Sequence, residues 1–215
     1  MKYDYYDITQ GTENLKQVEK LINSTFRYLI DDFFQEKVPR VTAEELINYA
    51  EKGMLIFGWI KNESNEDKVP NKNRITITCC AIFLTWQHNS HLCGGLNALS
   101  VNAAFQKQGV AKELYKFTAA EFIRKGITYQ SGFVVVPVDD EVLEKHASKV
   151  LIDWYGRMGL EKSREVVLQR GNDGYFDDYI ENSIHYSTFC ERLKDEGVRL
   201  FYFDVEVNKI VGKFL

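Results

Sequence analysis

Apolar positions along this chain recur with two different periods. From residue 15 to 34, Leu15, Val18, Leu21, Ile22, Phe26, Leu29, Ile30 and Phe33 return at helical intervals, the stripe of an amphipathic helix. A second, shorter helix is predicted from Thr42, where Thr42-Ala43-Glu44-Glu45 has the composition of a capping box. Gly53 supplies a left-handed residue to end it. Met54 to Ile60 reads as a short buried strand. Arg74 to Trp86 reads as a longer one, opening on alternating Ile75, Ile77 and Thr76, Thr78. Between them Lys61 to Asn73 is polar and carries Pro70, as an exposed connection does. The turn-like His88-Asn89-Ser90-His91 leads into another strand, about residues 95–102, and so short a link makes the pair antiparallel.

The second half changes rhythm. A helix is predicted from about Gly109 to Lys125, with Val110, Leu114, Phe117 and Ala120 on its buried face and Gly126 closing it. Phe133 to Val138 is uninterruptedly apolar, as in a strand covered on both faces. A helix follows over about Glu141 to Met158, with Leu143, Ala147, Val150, Leu151, Trp154 and Met158 on one side and Gly159 at its end. Leu160 to Gln169 returns to strand character. Strand, crossover helix and strand within about 30 residues give a parallel connection. The architecture is therefore α/β (α+β under some schemes), a mixed sheet flanked by helices. Residues 171–215 are read as a C-terminal extension of the same domain. They hold an acidic aromatic stretch, Tyr175-Phe176-Asp177-Asp178-Tyr179, then strands near 184–190 and 198–207.

Composition narrows the class. The 215 residues are 45% hydrophobic and 27% charged, which excludes disordered and collagen-like chains. A domain of this length buries roughly 70% of its unfolded surface, so its core needs neither metal nor disulfide. The net charge of −4 argues against a domain-wide grip on nucleic acid. Four cysteines are too few for a disulfide scaffold, and Cys79 and Cys80 fall in an apolar run as core residues. His88, His91 and Cys93 lack a fourth ligand at suitable spacing, so a polar turn is expected there and no metal. No apolar run reaches about 18 residues and the first residues lack a signal-peptide core, so the expectation is a cytoplasmic protein without a membrane span.

The stretch that bears chemistry is Leu99-Ser100-Val101-Asn102-Ala103-Ala104-Phe105-Gln106-Lys107-Gln108-Gly109-Val110-Ala111-Lys112. A strand ends, a turn follows and a helix starts at a glycine. The first N–H groups of a helix have no intrahelical partner and, with the helix dipole, favour an anion. Gly109 and Ala111 are small enough for a pyrophosphate to approach the backbone of Gln106 to Ala111, with Lys107 and Lys112 adding charge. The stretch has neither the Gly-Lys-Ser/Thr of a P-loop nor the three spaced glycines of a dinucleotide fingerprint.

Gln106-x-x-Gly109-x-Ala111, after Leu99-x-Val101, resembles the acyl-CoA-binding motif of the GNAT superfamily of N-acyltransferases, Q/R-x-x-G-x-G/A. Downstream, Trp154-Tyr155-Gly156-Arg157-Met158-Gly159-Leu160 resembles that family's tyrosine-bearing helix end. One helix, one strand and one helix separate the two motifs, as in the family. The resemblance implies a mostly antiparallel sheet whose central parallel pair splays apart. Leu99, Ser100 and Val101 would then line the pantetheine arm, and an N–H near Val101 would polarise the thioester carbonyl. The amides of Gln106, Lys107, Gln108, Gly109, Val110 and Ala111, with Lys112 nearby, would hold the pyrophosphate.

Tyr155 is the candidate general acid, since a phenol stays protonated at neutral pH and can donate to a departing thiolate. Packing on an apolar helix face is the alternative for that ring. Ser148 stands where many members carry a cofactor-contacting asparagine. A glutamate base found early in the central strand of the histone-acetylating branch is absent here, the positions being Gly94 and Gly95. The implied reaction is direct attack of an amine, on a small molecule or a protein, on acetyl-CoA as acyl-donor cosubstrate. Asp139 and Asp140 cap the following helix or bind the acceptor, and residues 175–179 could form an acceptor wall. The strands after residue 184 could extend a sheet across a homodimer.

Overall fold

The computed structural model describes residues 1–5, 12–37, 39–61, 75–88, 90–170 and 191–214. Its strands are Lys2–Tyr5 (β1), Leu55–Lys61 (β2), Ile75–His88 (β3), His91–Val101 (β4), Tyr129–Val136 (β5), Glu161–Leu168 (β6) and Val198–Glu206 (β7). They hydrogen-bond as one seven-stranded sheet in the order β1, β2, β3, β4, β5, β7, β6. The helices are Thr12–Ile30 (α1), Ala43–Glu51 (α2), Val110–Arg124 (α3), Asp140–Leu143 (α4), Ser148–Met158 (α5) and Val207–Phe214 (α6). β1 with β2, β2 with β3, β5 with β7 and β6 with β7 are antiparallel, and β4 with β5 is parallel. The mixed, mostly antiparallel sheet with one central parallel pair is the arrangement read from the sequence.

The chain divides into two compact units, Met1–Thr25 with Pro39–Phe83 and Ala98–Phe117, and Phe26–Val38 with Leu84–Asn97 and Thr118–Leu215. In the first, Leu15, Val18 and Ile22 of α1, Leu46 of α2, Leu55 to Phe57 of β2 and Cys79 to Phe83 of β3 are buried. Asn23 of α1 accepts from the N–H groups of Arg40 at 2.7 Å and Val41 at 3.1 Å. The chain is thereby delivered to Thr42. There the capping box closes as expected: Thr42 Oγ1 accepts the Glu45 N–H at 3.3 Å, and Glu45 Oε2 accepts the Thr42 N–H at 2.7 Å.

The second unit is organised on β7, whose residues Val198 to Phe203 are all buried. It pairs with β5 from Tyr129–Glu206 to Val136–Arg199 and with β6 on its other edge. Three features differ from the sequence reading. The helix expected over 141–158 is broken into α4 and α5. Asp139 starts the first piece by accepting the Glu141 and Val142 N–H groups at 2.7 and 3.1 Å. His146 Nδ1 accepts the Ser148 N–H at 3.1 Å, satisfying a donor at the start of the second.

β5 begins at Tyr129 and alternates buried Gln130, Gly132, Val134 and Val136 with less buried neighbours, so only one face is fully covered. The remaining additions are β1, only four residues long, and α6, which is amphipathic but only eight residues long and follows directly on β7. The polar connection after Lys61, the acidic aromatic stretch at 175–179 and the strand expected near 184–190 lie outside the described residues.

Candidate active site

The motif at the end of β4 forms a tight, solvent-facing turn in the first unit. Asn102, which the sequence reading passed over, anchors it. Its N–H donates to Thr78 O at 2.9 Å and its Nδ2 to Ile77 O at 3.2 Å, while its Oδ1 accepts the Ala104 N–H at 3.1 Å. An Asx residue directly after a strand is the local signal for such a turn. Gln106 reaches back with Nε2 to Val101 O at 3.2 Å, and Gln108 Nε2 to Ala104 O at 2.9 Å. The glutamine of the motif therefore closes the turn with its side chain.

Lys107 and Gly109 both lie in the left-handed region, at φ 59 and φ 78. Alternation into that region turns neighbouring N–H groups toward one side, the geometry of an anion-binding nest. Gln106, Lys107, Gln108 and Gly109 are exposed, and a side chain at Gly109 would meet nothing within 4 Å. It is the backbone angle, not space, that requires glycine there. The first bond back into the turn is from Glu113 N–H to Gly109 O at 3.0 Å, so the N–H groups of Val110 to Lys112 precede the helical ladder. Val110 is buried, Ala111 half-buried and Lys112 exposed.

Along β4, Leu99 and Val101 are half-buried and Ser100 is buried, its hydroxyl donating to Ala98 O at 3.1 Å. Ala98 has φ 54 in mid-strand, a left-handed residue that breaks the regular extended backbone. No glycine advertises this in the sequence. The parallel ladder holds two pairs, Cys93 with Tyr129 and Gly94 with Gln130, and no further pair follows in that register. A Cβ at Gly94 would collide with Phe122, lying 2.7 Å from its Cδ1. The close approach of α3 thus dictates glycine where the histone-acetylating branch places its glutamate.

Tyr155 and Ser148 belong to the second unit. Tyr155 is half-buried, stacked on Phe203 at 5.3 Å and edge-on to Trp154 at 5.2 Å. Burial pushes its hydroxyl up to about 12, so it is a neutral donor across the physiological range. Ser148 is buried, with its hydroxyl 2.8 Å from His146 Nδ1. Burial lowers the His146 pKa, against an opposing pull from Asp32. Because Nδ1 accepts the Ser148 N–H, neutral His146 carries its proton on Nε2 and is a donor rather than a base. An open depression of about 320 Å³ lies beside it, lined by Asp139, Glu141, Val142, Lys145 and His146.

Arg199 was also missed. Its guanidinium binds Pro137 O, Asp140 and Glu165; a cation inside the apolar run Val198 to Phe203 is the sequence signal for such a buried, paired charge. Of the suggested metal-turn residues, His91 packs edge-on against Tyr129 at 5.3 Å and Cys93 is buried.

The fold is that of the GNAT N-acetyltransferases. A chain of the NatC complex, solved bound to Gag peptide and CoA, matches at TM-score 0.55 and 15% identity, over 95% of this chain and 97% of that one. The structure of yncA, a proposed acetyltransferase from Salmonella typhimurium with its cofactor acetyl-CoA, matches at 0.57 and 11%, over 96% and 94%. A ribosomal-protein-alanine N-acetyltransferase from Brucella melitensis matches at TM-score 0.57 and 9% identity, over 96% and 99%. No family model matches the chain, and no curated protein does. At identities this low the matches show the fold alone. Among the described residues no helix is long and apolar enough to cross a membrane.

Proposed function

We propose that this chain is an acyl-CoA-dependent N-acyltransferase that moves an acetyl group from acetyl-CoA to a primary amine. The observation that carries the reading is the exposed turn from Gln106 to Gly109, with left-handed residues at 107 and 109 opening directly into α3. Such a turn suits a pyrophosphate held by backbone amides. In this reading Leu99, Ser100 and Val101, which follow the two positions of β4 paired with β5, line the pantetheine arm. In this reading residues 1–170 are the transferase core and 171–215 extend it.

Tyr155 is the acid. The amine nitrogen bonds to the thioester carbon, the carbon–sulfur bond breaks, and the departing sulfur takes the phenol proton. A hydroxyl whose pKa is raised by burial is fully protonated when that step occurs. The amine gives up its own proton to solvent, and the tyrosinate left on Tyr155 regains a proton from solvent before the next turnover. Ser148 adds a buried hydroxyl at the start of α5. The acceptor is a small-molecule or protein amine. Two of the similar structures are a complex holding a peptide and an enzyme named for a ribosomal-protein alanine, which puts peptide amines first in a screen.

The test is a panel of amines and peptides with acetyl-CoA, read by free-thiol release and product mass. Acetyl-CoA at about 100 times its Kd is expected to stabilise the fold by about 2.7 kcal/mol. Stabilisation without thiol release on any acceptor would make the chain a CoA-binding module instead. The absence of both effects at millimolar acetyl-CoA overturns the proposal.

A further inference from the structure

β7 presents Arg199, Phe201 and Phe203 at alternate positions, so their side chains share one face of the strand. Phe203 carries the stacked ring of Tyr155 near the end of α5. Arg199 meets the beginning of the same segment. Its Nε donates to Pro137 O at 2.9 Å, just past β5, and its Nη2 to Asp140 Oδ1 at 2.6 Å, the first residue of α4. A third arm, Nη1 to Glu165 Oε1 at 3.3 Å, ties the guanidinium to β6. The Arg199 side chain is 11% exposed although that of Asp140 is 84% exposed. The planar fork is thus held from the strand side and closes on the chain where it leaves the sheet.

The break between α4 and α5 means that helix stiffness alone cannot carry a position from β5 to Tyr155. β7 instead holds the segment at its two ends, Arg199 at Pro137 and Asp140 before the break and Phe203 at Tyr155 after it. We infer that Arg199 is a positioning residue for Tyr155: it fixes how the α4–α5 segment departs from β5, and with Phe203 it sets where the tyrosine hydroxyl stands. The functional part of this inference rests on the acid role proposed for Tyr155. Lysine at 199 would keep the charge but could not make three fixed contacts at once.

The experiment compares wild type with Arg199→Lys and Asp140→Asn, each prepared both with Tyr155 and with Tyr155→Phe so that the spectra can be subtracted. In Arg199→Lys, amide exchange across Ser148–Met158 is expected to rise about tenfold while β5 stays protected. The Tyr155 titration is expected to move from about 12 toward 10. Turnover should fall about tenfold at unchanged KM for acetyl-CoA, as expected of a misplaced catalytic group. Asp140→Asn removes part of one arm in a protein that should still fold, and is expected to shift the same readouts less. A lower Tm in Arg199→Lys with unchanged exchange and unchanged titration overturns the inference, leaving Arg199 a stability element. Exchange and titration need no turnover, so they report on positioning even if wild type proves inactive. Inactivity of wild type would sink the acyltransferase reading separately.

Discussion

The turn after β4 and the α4–α5 segment on β7 solve the placement of a chemical group in opposite ways. The turn is exposed and built almost wholly from its own neighbours: Gln106 bonds Val101, Gln108 bonds Ala104 and Asn102 bonds Ala104. What it offers a ligand is backbone, aimed by two left-handed residues. The other region offers a side chain, Tyr155, and holds it between Phe203 and Trp154. A backbone site should tolerate many side-chain changes but not a change of dihedral freedom. A side-chain site should show the reverse.

The largest break in that comparison is expected from Tyr155→Phe. It keeps the stacked ring and removes only the donor, so kcat should fall about a hundredfold, near 2.7 kcal/mol of barrier, at unchanged KM for acetyl-CoA. Steady-state kinetics check it, and an equally active variant would reduce Tyr155 to packing.

The next effect separates the same hydroxyl from the fold by pH. The Tyr155 pKa of about 12 lies above the usual value of 10, so between those values the folded protein keeps a proton that the unfolded chain releases. That contribution to stability is complete below pH 10 and is lost as pH rises toward 12. The Tm of wild type should therefore fall more steeply than that of Tyr155→Phe in this window. Tyr3, also pushed up to about 12 by burial, is present in both proteins and serves as the internal control.

The smallest expected effect probes the turn. Gly109→Ala meets no steric neighbour but must adopt φ 78, at a cost of about 1 kcal/mol. Chemical denaturation should show that loss. KM for acetyl-CoA should rise while kcat holds, the mirror image of the tyrosine variant. A fall in kcat alone would mean that the two regions do not divide the work as described.

Features whose causes are local were legible from spacing. The capping box at Thr42, the left-handed Gly53, the glycines at 126 and 159 that close helices and the extent of α3 all follow from a few adjacent residues. The break after α4 was not, because it depends on one imidazole accepting the Ser148 N–H. Nor was the left-handed Ala98, where an ordinary residue takes a positive φ that no composition rule announces.

By itself, then, the sequence determined most of the helices and strands, the parallel connection and the place of the turn before α3, since hydrophobic period and glycine position act over a few residues. Tertiary structure alone decided that Gly94 must stay small beside Phe122, that β1 pairs with β2, and that Arg199 reaches Pro137, Asp140 and Glu165. Those contacts join residues far apart in the chain. Burial and packing, rather than local propensity, set their partners.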